Sequence, residues 1–158
     1  MSNNLQSEIK QSQPFRSHQQ ELILTLLRTS ALVRNQIDHA LSHTSLSAQQ
    51  YNVLRILRGA KEALPTMEIS NRLVEPTPGI TRLITKLEHT GTIKRKQCKN
   101  DKRVFHCEIT QKGLNLLNEL DPIINHLNDQ LFKTLPESQI KTLIENLNQL
   151  RHSLFIQS

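Results

Sequence analysis

The stretch at positions 77–109, TPGITRLITKLEHTGTIKRKQCKNDKRVFHCEI, predicts the fold class because its hydrophobic period changes part-way along. Apolar residues recur at helical spacing from Ile80 to Leu87, and the opposite face of this segment is polar. From Ile93 the chain is basic, passes the turn residues 99–101 and returns with alternating apolar residues. The stretch therefore predicts a helix with one polar face, followed by a β-hairpin with a basic tip.

Two shorter helical segments precede this stretch. Ser47 and Gln50 have the spacing of a capping box, in which each side chain bonds the other residue's backbone N–H. The next helix has Thr66 as its predicted N-cap, and it ends at Glu75 because the proline that follows disfavours helical backbone there. Two short helices, an amphipathic third helix and a basic hairpin together predict a winged helix-turn-helix over residues 46–110.

The third helix and the hairpin carry the side chains that we expect to meet DNA. Thr77 is the predicted N-cap of the helix and Pro78 the predicted proline of its first turn. Arg82 has the fork geometry that binds guanine in a major groove. An arginine at the tip of a hairpin suits a narrow minor groove, where the negative potential is strongest. The recognition-helix candidates are Thr77, Pro78, Gly79, Thr81, Arg82, Thr85 and Lys86, and the wing candidates are Lys94, Arg95, Lys96, Lys99, Asp101, Lys102 and Arg103.

The positive charge of the chain is concentrated in this middle third. The net charge is +6, but residues 47–113 hold 13 Lys and Arg against 6 Asp and Glu, so the rest of the chain is close to neutral. Such a basic block is typical of a nucleic-acid reader, although charge alone is equally compatible with a solvated basic face.

The segments on either side, 17–43 and 111–158, predict long helices with apolar stripes at heptad-like spacing. A small winged domain does not need these helices for its own core, so we favour a dimer interface over an intramolecular bundle. Pro122 either kinks one long helix or begins a new segment, and residues 1–16 predict a flexible tail. The predicted dimerisation residues are Leu22, Leu26, Leu131, Ile140, Leu143, Leu147, Leu150 and Leu154.

Several of these segments together resemble the multiple-antibiotic-resistance regulator (MarR) family. They are LSAQQYNVL at 46–54, ITRLITKLEHTG at 80–91, DKR at 101–103 and ITQKG at 109–113. The resemblance spans residues 22–154 and predicts, over residues 17–158, a single domain that is mainly α with one small β-hairpin. Pro76 and Pro78 depart from the family pattern by making the entrance to the recognition helix unusually stiff.

The resemblance implies a homodimeric transcriptional regulator, usually a repressor released by a small ligand or an oxidant. It implies that Asp101 orients the wing by pairing, that Arg103 reaches the minor groove, and that the terminal helices form the dimer interface. The expected partners are double-stranded DNA carrying a palindromic operator, a second copy of the chain, and a small-molecule effector in the crevice between winged domain and helical base.

Other classes of protein find less support in the sequence. No apolar stretch approaches the roughly 18 residues that cross a bilayer, and the N-terminus has no signal-peptide core, so we expect a cytoplasmic protein without a membrane partner. Neither HExxH nor GxSxG occurs, and the glycines form no phosphate-binding loop, so we expect neither an enzyme nor a cofactor. A winged module that binds a protein partner, or DNA without sequence preference, remains the alternative.

The cysteines and two histidines suggest weaker hypotheses. Cys98 lies between lysines that favour its thiolate, which allows thiol-based redox sensing, whereas Cys107 suits a small buried residue. A hairpin centred on 100–101 places Cys98 opposite about residue 103, so a bridge to Cys107 is not expected. His39 and His43 have the spacing of a two-histidine metal site, but no third ligand is evident, and we expect no metal.

Overall fold

The structure is a computed structural model that describes residues 4–76, 78–98 and 100–156. It is mainly helical with a small antiparallel sheet, which confirms the predicted fold class. The elements in chain order are α1 (Leu5–Glu8), α2 (His18–Leu41), α3 (Ala48–Gly59), β1 (Leu64–Pro65), α4 (Thr66–Arg72), α5 (Ile80–His89), β2 (Ile93–Gln97), β3 (Phe105–Ile109), α6 (Gln111–Phe132) and α7 (Glu137–Ile156).

Both long helical segments of the first half begin where a side chain caps them. The hydroxyl of Ser17 accepts from the backbone N–H of Gln20 at the start of α2. At α3 the predicted capping box is present: the backbone N–H of Gln50 donates to the Ser47 hydroxyl at 3.3 Å, and the Gln50 side chain accepts from the Ser47 N–H at 3.0 Å. These bonds satisfy helix-end donors that have no partner within the helix.

The predicted boundaries of α4 are wrong at both ends. Pro65 occupies the N-cap position without a side-chain bond, and Thr66 is already the first helical residue. Its hydroxyl instead donates to the backbone carbonyl of Phe105 at 3.3 Å, because the preceding residues pair with β3 and bring Thr66 next to that strand. The helix ends at Arg72, and Leu73 already has extended backbone, so α4 stops before Glu75.

The sheet confirms the predicted hairpin and adds a third strand. β2 and β3 pair antiparallel, with Ile93 opposite Ile109 and Gln97 opposite Phe105. The two-residue strand β1 pairs with the other edge of β3 through Leu64 opposite Cys107, so the strand order is β1-β3-β2. Two residues carry no period-2 signal, which is why the sequence pattern does not reveal β1.

The chain divides into two compact units, with the division between Leu120 and Asp121. The core of the first unit joins α3, α4, α5 and the sheet, so the polar face of α5 is directed away from it. This unit also includes the short helix α1, in which Leu5 is buried. The prediction of a flexible tail over residues 1–16 is therefore wrong for this helix. The fully buried side chains of the first unit include Val53, Leu54, Ile69, Ile84 and Leu87.

Pro122 lies inside a continuous α6, so it does not begin a new segment. A proline inside a helix has no N–H to donate, so one backbone hydrogen bond of α6 is missing at this residue. In the second unit α7 leaves Ile144 at 52% and Leu154 at 59% exposed. In the part of the chain that the structure describes, no helix is long and apolar enough to cross a membrane.

Candidate nucleic-acid interface

The entrance to α5 is built by a left-handed glycine. Gly79 is the N-cap with φ of 91°, a conformation that side chains with a Cβ rarely adopt, and Ile80 is the first helical residue. Pro78 and Gly79 therefore precede the helix, which corrects the prediction that Pro78 lies in its first turn. The predicted cap Thr77 lies outside the described residues. The carbonyl of Gly79 accepts from the N–H of Arg82 at 2.9 Å, which starts the helix.

One face of α5 is buried and the other is open to solvent. Ile84 and Leu87 are fully buried, whereas the predicted recognition residues on the opposite side are all exposed. Among the described residues, Arg82 and Lys86 have no carboxylate within ion-pair distance. The exposed positions are Pro78, Gly79, Thr81, Arg82, Thr85 and Lys86.

Part of the positive charge on the stem of the wing is offset by one carboxylate on the neighbouring strand. Lys94 lies 2.7 Å from Glu108 on the neighbouring strand, and Lys96 lies 3.7 Å from the same carboxylate. The hydrogen bond from Lys94 holds the pKa of Glu108 below its usual range. Since a lysine that already faces a carboxylate has less net charge to offer a phosphate, the stem contributes less than its sequence suggests.

Arg95 joins the wing to the recognition helix. Its guanidinium lies 2.7 Å from the Glu88 carboxylate at the end of α5, and 5.0 Å from the ring centroid of Phe105 on β3. The Arg95 side chain is 24% exposed, whereas those of Lys94 and Lys96 on the same strand are 54% and 75% exposed. These two contacts make Arg95 a strut between α5 and the hairpin, and its predicted contact with DNA stays a prediction.

The tip of the wing is held by a carboxylate on the backbone. Asp101 accepts through its side chain from the N–H of Arg103 at 2.9 Å, and through its carbonyl from the N–H of Val104 at 3.0 Å. The Gln97 side chain donates to the carbonyl of Lys102 at 2.6 Å. Lys102 and Arg103 are exposed and face no carboxylate within 4.0 Å among the described residues, while Lys99 lies outside them. The tip is thus a closed turn that presents free cations.

A cleft of about 520 Å³ lies behind the recognition helix, within the first unit. Buried Leu46 and Leu120 and half-buried Leu116 give it apolar surface, and the Lys112 ammonium donates to the Thr90 carbonyl at its edge, at 2.8 Å. The α2–α3 loop, the end of α5 and the first half of α6 form this cleft. Its other lining residues are His43, Thr44, Ser45, His89, Thr92 and Glu119.

The cysteines lie at different places on the hairpin. Cys107 is buried on β3 opposite Arg95, and burial raises the pKa of its thiol, which disfavours the thiolate. Cys98 follows β2 and bonds the Val104 carbonyl through its N–H, so it faces residue 104, one residue from the predicted position. Both cysteines are free. No group of three or more metal-ligating side chains occurs among the described residues.

Comparisons with known proteins agree with this architecture. The sequence model of the MarR family matches residues 46–105, from the α2–α3 loop into β3. A MarR transcription factor from Planctomyces limnophilus shares 32% identity over 86% of this chain and 99% of its own, with a TM-score of 0.67. This chain belongs to the MarR family.

Two further solved structures, of which Sco3205 is a MarR family transcriptional regulator, share the fold at lower identity. Sco3205 from Streptomyces coelicolor, solved in complex with DNA, is 20% identical over 89% of this chain and 94% of its own, with a TM-score of 0.77. CouR from Rhodococcus jostii RHA1, solved with p-coumaroyl-CoA, is 19% identical over 86% of this chain and 95% of its own, with a TM-score of 0.70. The chain is a MarR-family transcription regulator, and the resemblance drawn from its motifs is confirmed.

Sequence reasoning missed the acidic and aromatic partners of the MarR wing. Glu88, Glu108 and Phe105 decide which of the wing cations are free, yet none was a candidate. The sequence does contain a signal for the two glutamates, because Glu88 and Glu108 are two of only three acidic residues between 82 and 112. A lone carboxylate in a basic block is a candidate internal partner for one of its cations.

Proposed function

We propose that this chain is a homodimeric, sequence-specific DNA-binding repressor that a small molecule releases from its operator. In each subunit α5 enters the major groove with Thr81, Arg82, Thr85 and Lys86, and the wing tip enters the flanking minor groove. The observation that carries this proposal is the distribution of free cations. Arg82 and Lys86 on α5, and Lys102 and Arg103 at the wing tip, are exposed without a carboxylate partner among the described residues.

The two groups of cations have different expected tasks. Arg82 has the bidentate donor geometry that reads guanine, whereas Arg103 projects from a turn that Asp101 closes. An arginine fixed at a narrow tip gains from the strong negative potential of a narrow minor groove. DNA-bound Sco3205 shares this fold, which supports the placement.

A second copy of the chain is the expected partner of the flanking helices. None of the eight predicted dimerisation residues is buried in the single chain, and on α2 Leu27 is also 63% exposed. Exposed apolar stripes of this kind mark an interaction surface. A two-fold dimer places two recognition helices one DNA turn apart, about 34 Å, on a palindromic site.

Oligomeric state is tested by sedimentation of the full chain at micromolar concentration. We expect a dimer that dissociates in Leu154→Glu but persists in the charge-matched Gln149→Glu, an exposed polar position on α7. A monomeric wild-type protein contradicts the proposal.

The effector belongs in the cleft behind α5, since the cleft joins apolar surface to the ammonium of Lys112 and two imidazoles. CouR, bound to p-coumaroyl-CoA, supports a small carboxylic-acid derivative as the class of ligand. A ligand that binds the DNA-incompetent conformation more tightly shifts the population away from DNA. We expect benzoate and its hydroxylated relatives to raise the melting temperature, and Lys112→Ala to weaken that effect; no shift with any of them contradicts this part.

Sequence-specific binding is tested by selection from a library of random DNA duplexes with the full chain. We expect an enriched palindrome, bound at one dimer per site, that resists competition by random DNA about 10³-fold or better. Binding that vanishes as salt rises and ignores sequence indicates a pure charge effect. Absence of DNA binding at low salt indicates a module for a protein partner.

A further inference from the structure

The described residues of segment 74–79, which lead from the C-cap of α4 to α5, are held by polar contacts and not by a buried apolar side chain. Leu73 is buried, but Val74, the next residue, is 82% exposed. Among the described residues that follow, none is buried before Ile84 in the second turn of α5. The position of this segment therefore depends on the hydrogen bonds and ion pairs of its own residues.

Two different helices supply those contacts. The backbone N–H of Val74 donates to the side-chain Oδ1 of Asn52 on α3 at 3.1 Å. The guanidinium of Arg34 on α2 lies 2.6 Å from the Glu75 carboxylate. Consecutive residues of the segment are thus fastened to two helices, 22 and 41 residues away in the chain.

Two prolines restrict the backbone between Glu75 and the recognition helix. Pro76 and Pro78 each have a ring that fixes φ near −65°, and Gly79 then makes the left-handed step into α5. Two of the four residues between Glu75 and Ile80 therefore have a fixed φ. We expect a displacement at Glu75 to move the start of α5 as well.

We propose that Arg34 and Asn52 are positioning residues that set where the recognition helix begins and thereby which DNA sequence it reads. The inference rests on the proposed DNA-binding function, and it adds residues that need not touch DNA. Arg34 lies on α2, one of the proposed dimerisation helices. The ion pair with Glu75 therefore also links the position of α2 in the dimer to the position of the recognition helix.

The test compares affinity for the selected palindrome with affinity for a random duplex of the same length. Arg34→Glu replaces the ion pair with two facing carboxylates, Asn52→Ala removes the hydrogen bond, and Asn52→Asp keeps the acceptor. Arg28→Glu makes the same charge change on the same helix, where the arginine pairs with Glu8 at 4.0 Å within the part of the chain that the structure describes. The double variant Arg34→Glu with Glu75→Arg restores the ion pair at the wild-type net charge.

We expect Arg34→Glu and Asn52→Ala each to lower the ratio of specific to random affinity about threefold or more, as losing one surface ion pair or hydrogen bond allows. Asn52→Asp and Arg28→Glu should leave the ratio within about twofold of wild type. The double variant should recover a higher ratio than Arg34→Glu. A uniform loss on both duplexes in Arg34→Glu, equal to that in Arg28→Glu, overturns the positioning role in favour of a long-range charge effect.

Hydrogen exchange of the free protein gives a second readout that needs no operator. We expect the amides of a peptide over residues 74–83 to exchange about threefold faster or more in Arg34→Glu and Asn52→Ala, and unchanged in Arg28→Glu. Unchanged exchange in both contact variants overturns the inference. If selection enriches no sequence while exchange responds as expected, the proposed function fails and the positioning of the helix stands.

Discussion

Replacing Arg95 should loosen the wing without removing a contact to DNA. In Arg95→Gln the ion pair to Glu88 and the contact with the Phe105 ring are both lost. The ion pair joins side chains that are 24% and 35% exposed, so solvent screens it and its loss costs up to about 1 kcal/mol. The cation–π contact at 5.0 Å adds about 0.5–1 kcal/mol. We expect the free energy of unfolding to fall by about 0.5–2 kcal/mol in total.

The assay is urea denaturation of the full chain, in which the helical circular dichroism signal monitors unfolding. Lys94→Gln is the matched control, because Lys94 lies on the same strand and has an equally short ion pair, but its side chain is 54% exposed. We expect that control to cost less than about 0.5 kcal/mol. A double-mutant cycle of Arg95→Gln with Glu88→Gln then isolates the coupling between the two side chains.

DNA binding separates a strut from a contact. Loosening the wing lowers affinity but leaves the number of neutralised phosphates unchanged, so the slope of log affinity against log salt should be that of wild type. Removing a phosphate contact instead lowers that slope by about 1. The reasoning is refuted if Arg95→Gln lowers the free energy of unfolding no more than Lys94→Gln does. It is also refuted if Arg95→Gln reduces the slope of log affinity against log salt.

Three further predictions follow from the tip, the helix entrance and the stem. Arg103→Ala should lower DNA affinity about tenfold at low salt, and unchanged affinity in a titration excludes the minor-groove role. Gly79→Ala should reduce the free energy of unfolding by about 1 kcal/mol because of the left-handed φ of 91° alone, whereas Gly59→Ala, with equally open space, should not reduce it. Because the pKa of Glu108 is lowered by Lys94, the stabilisation by Glu108 is present above pH 4.5 and is lost as pH falls through the lowered pKa; acid titration should show this loss in wild type and not in Glu108→Gln.

The helices and the hairpin were predictable because their signals are periodic. The capping box at Ser47 and Gln50 and the alternation in β3 are local patterns, and local patterns set local structure. The start of α5 was misplaced because proline at a first helical position is a common arrangement, whereas the left-handed step at Gly79 overrides it here. The partners of the wing cations depend on contacts across strands and to α5, which no local pattern contains.

The motif ITQKG at 109–113 shows how such a resemblance acquires a physical reason. The Thr110 hydroxyl donates to the Gly91 carbonyl at 2.7 Å and accepts from the Gly113 N–H at 3.2 Å, so one side chain ties the end of the recognition helix to the start of α6. A Cβ at Gly113 would clash with the backbone carbonyl of Thr92, so only glycine permits this approach. The threonine and the glycine therefore serve one purpose, which is to fix α6 against the turn between α5 and the wing. This motif lies outside the expected DNA contacts, and the need to hold the recognition helix and the wing in place explains it.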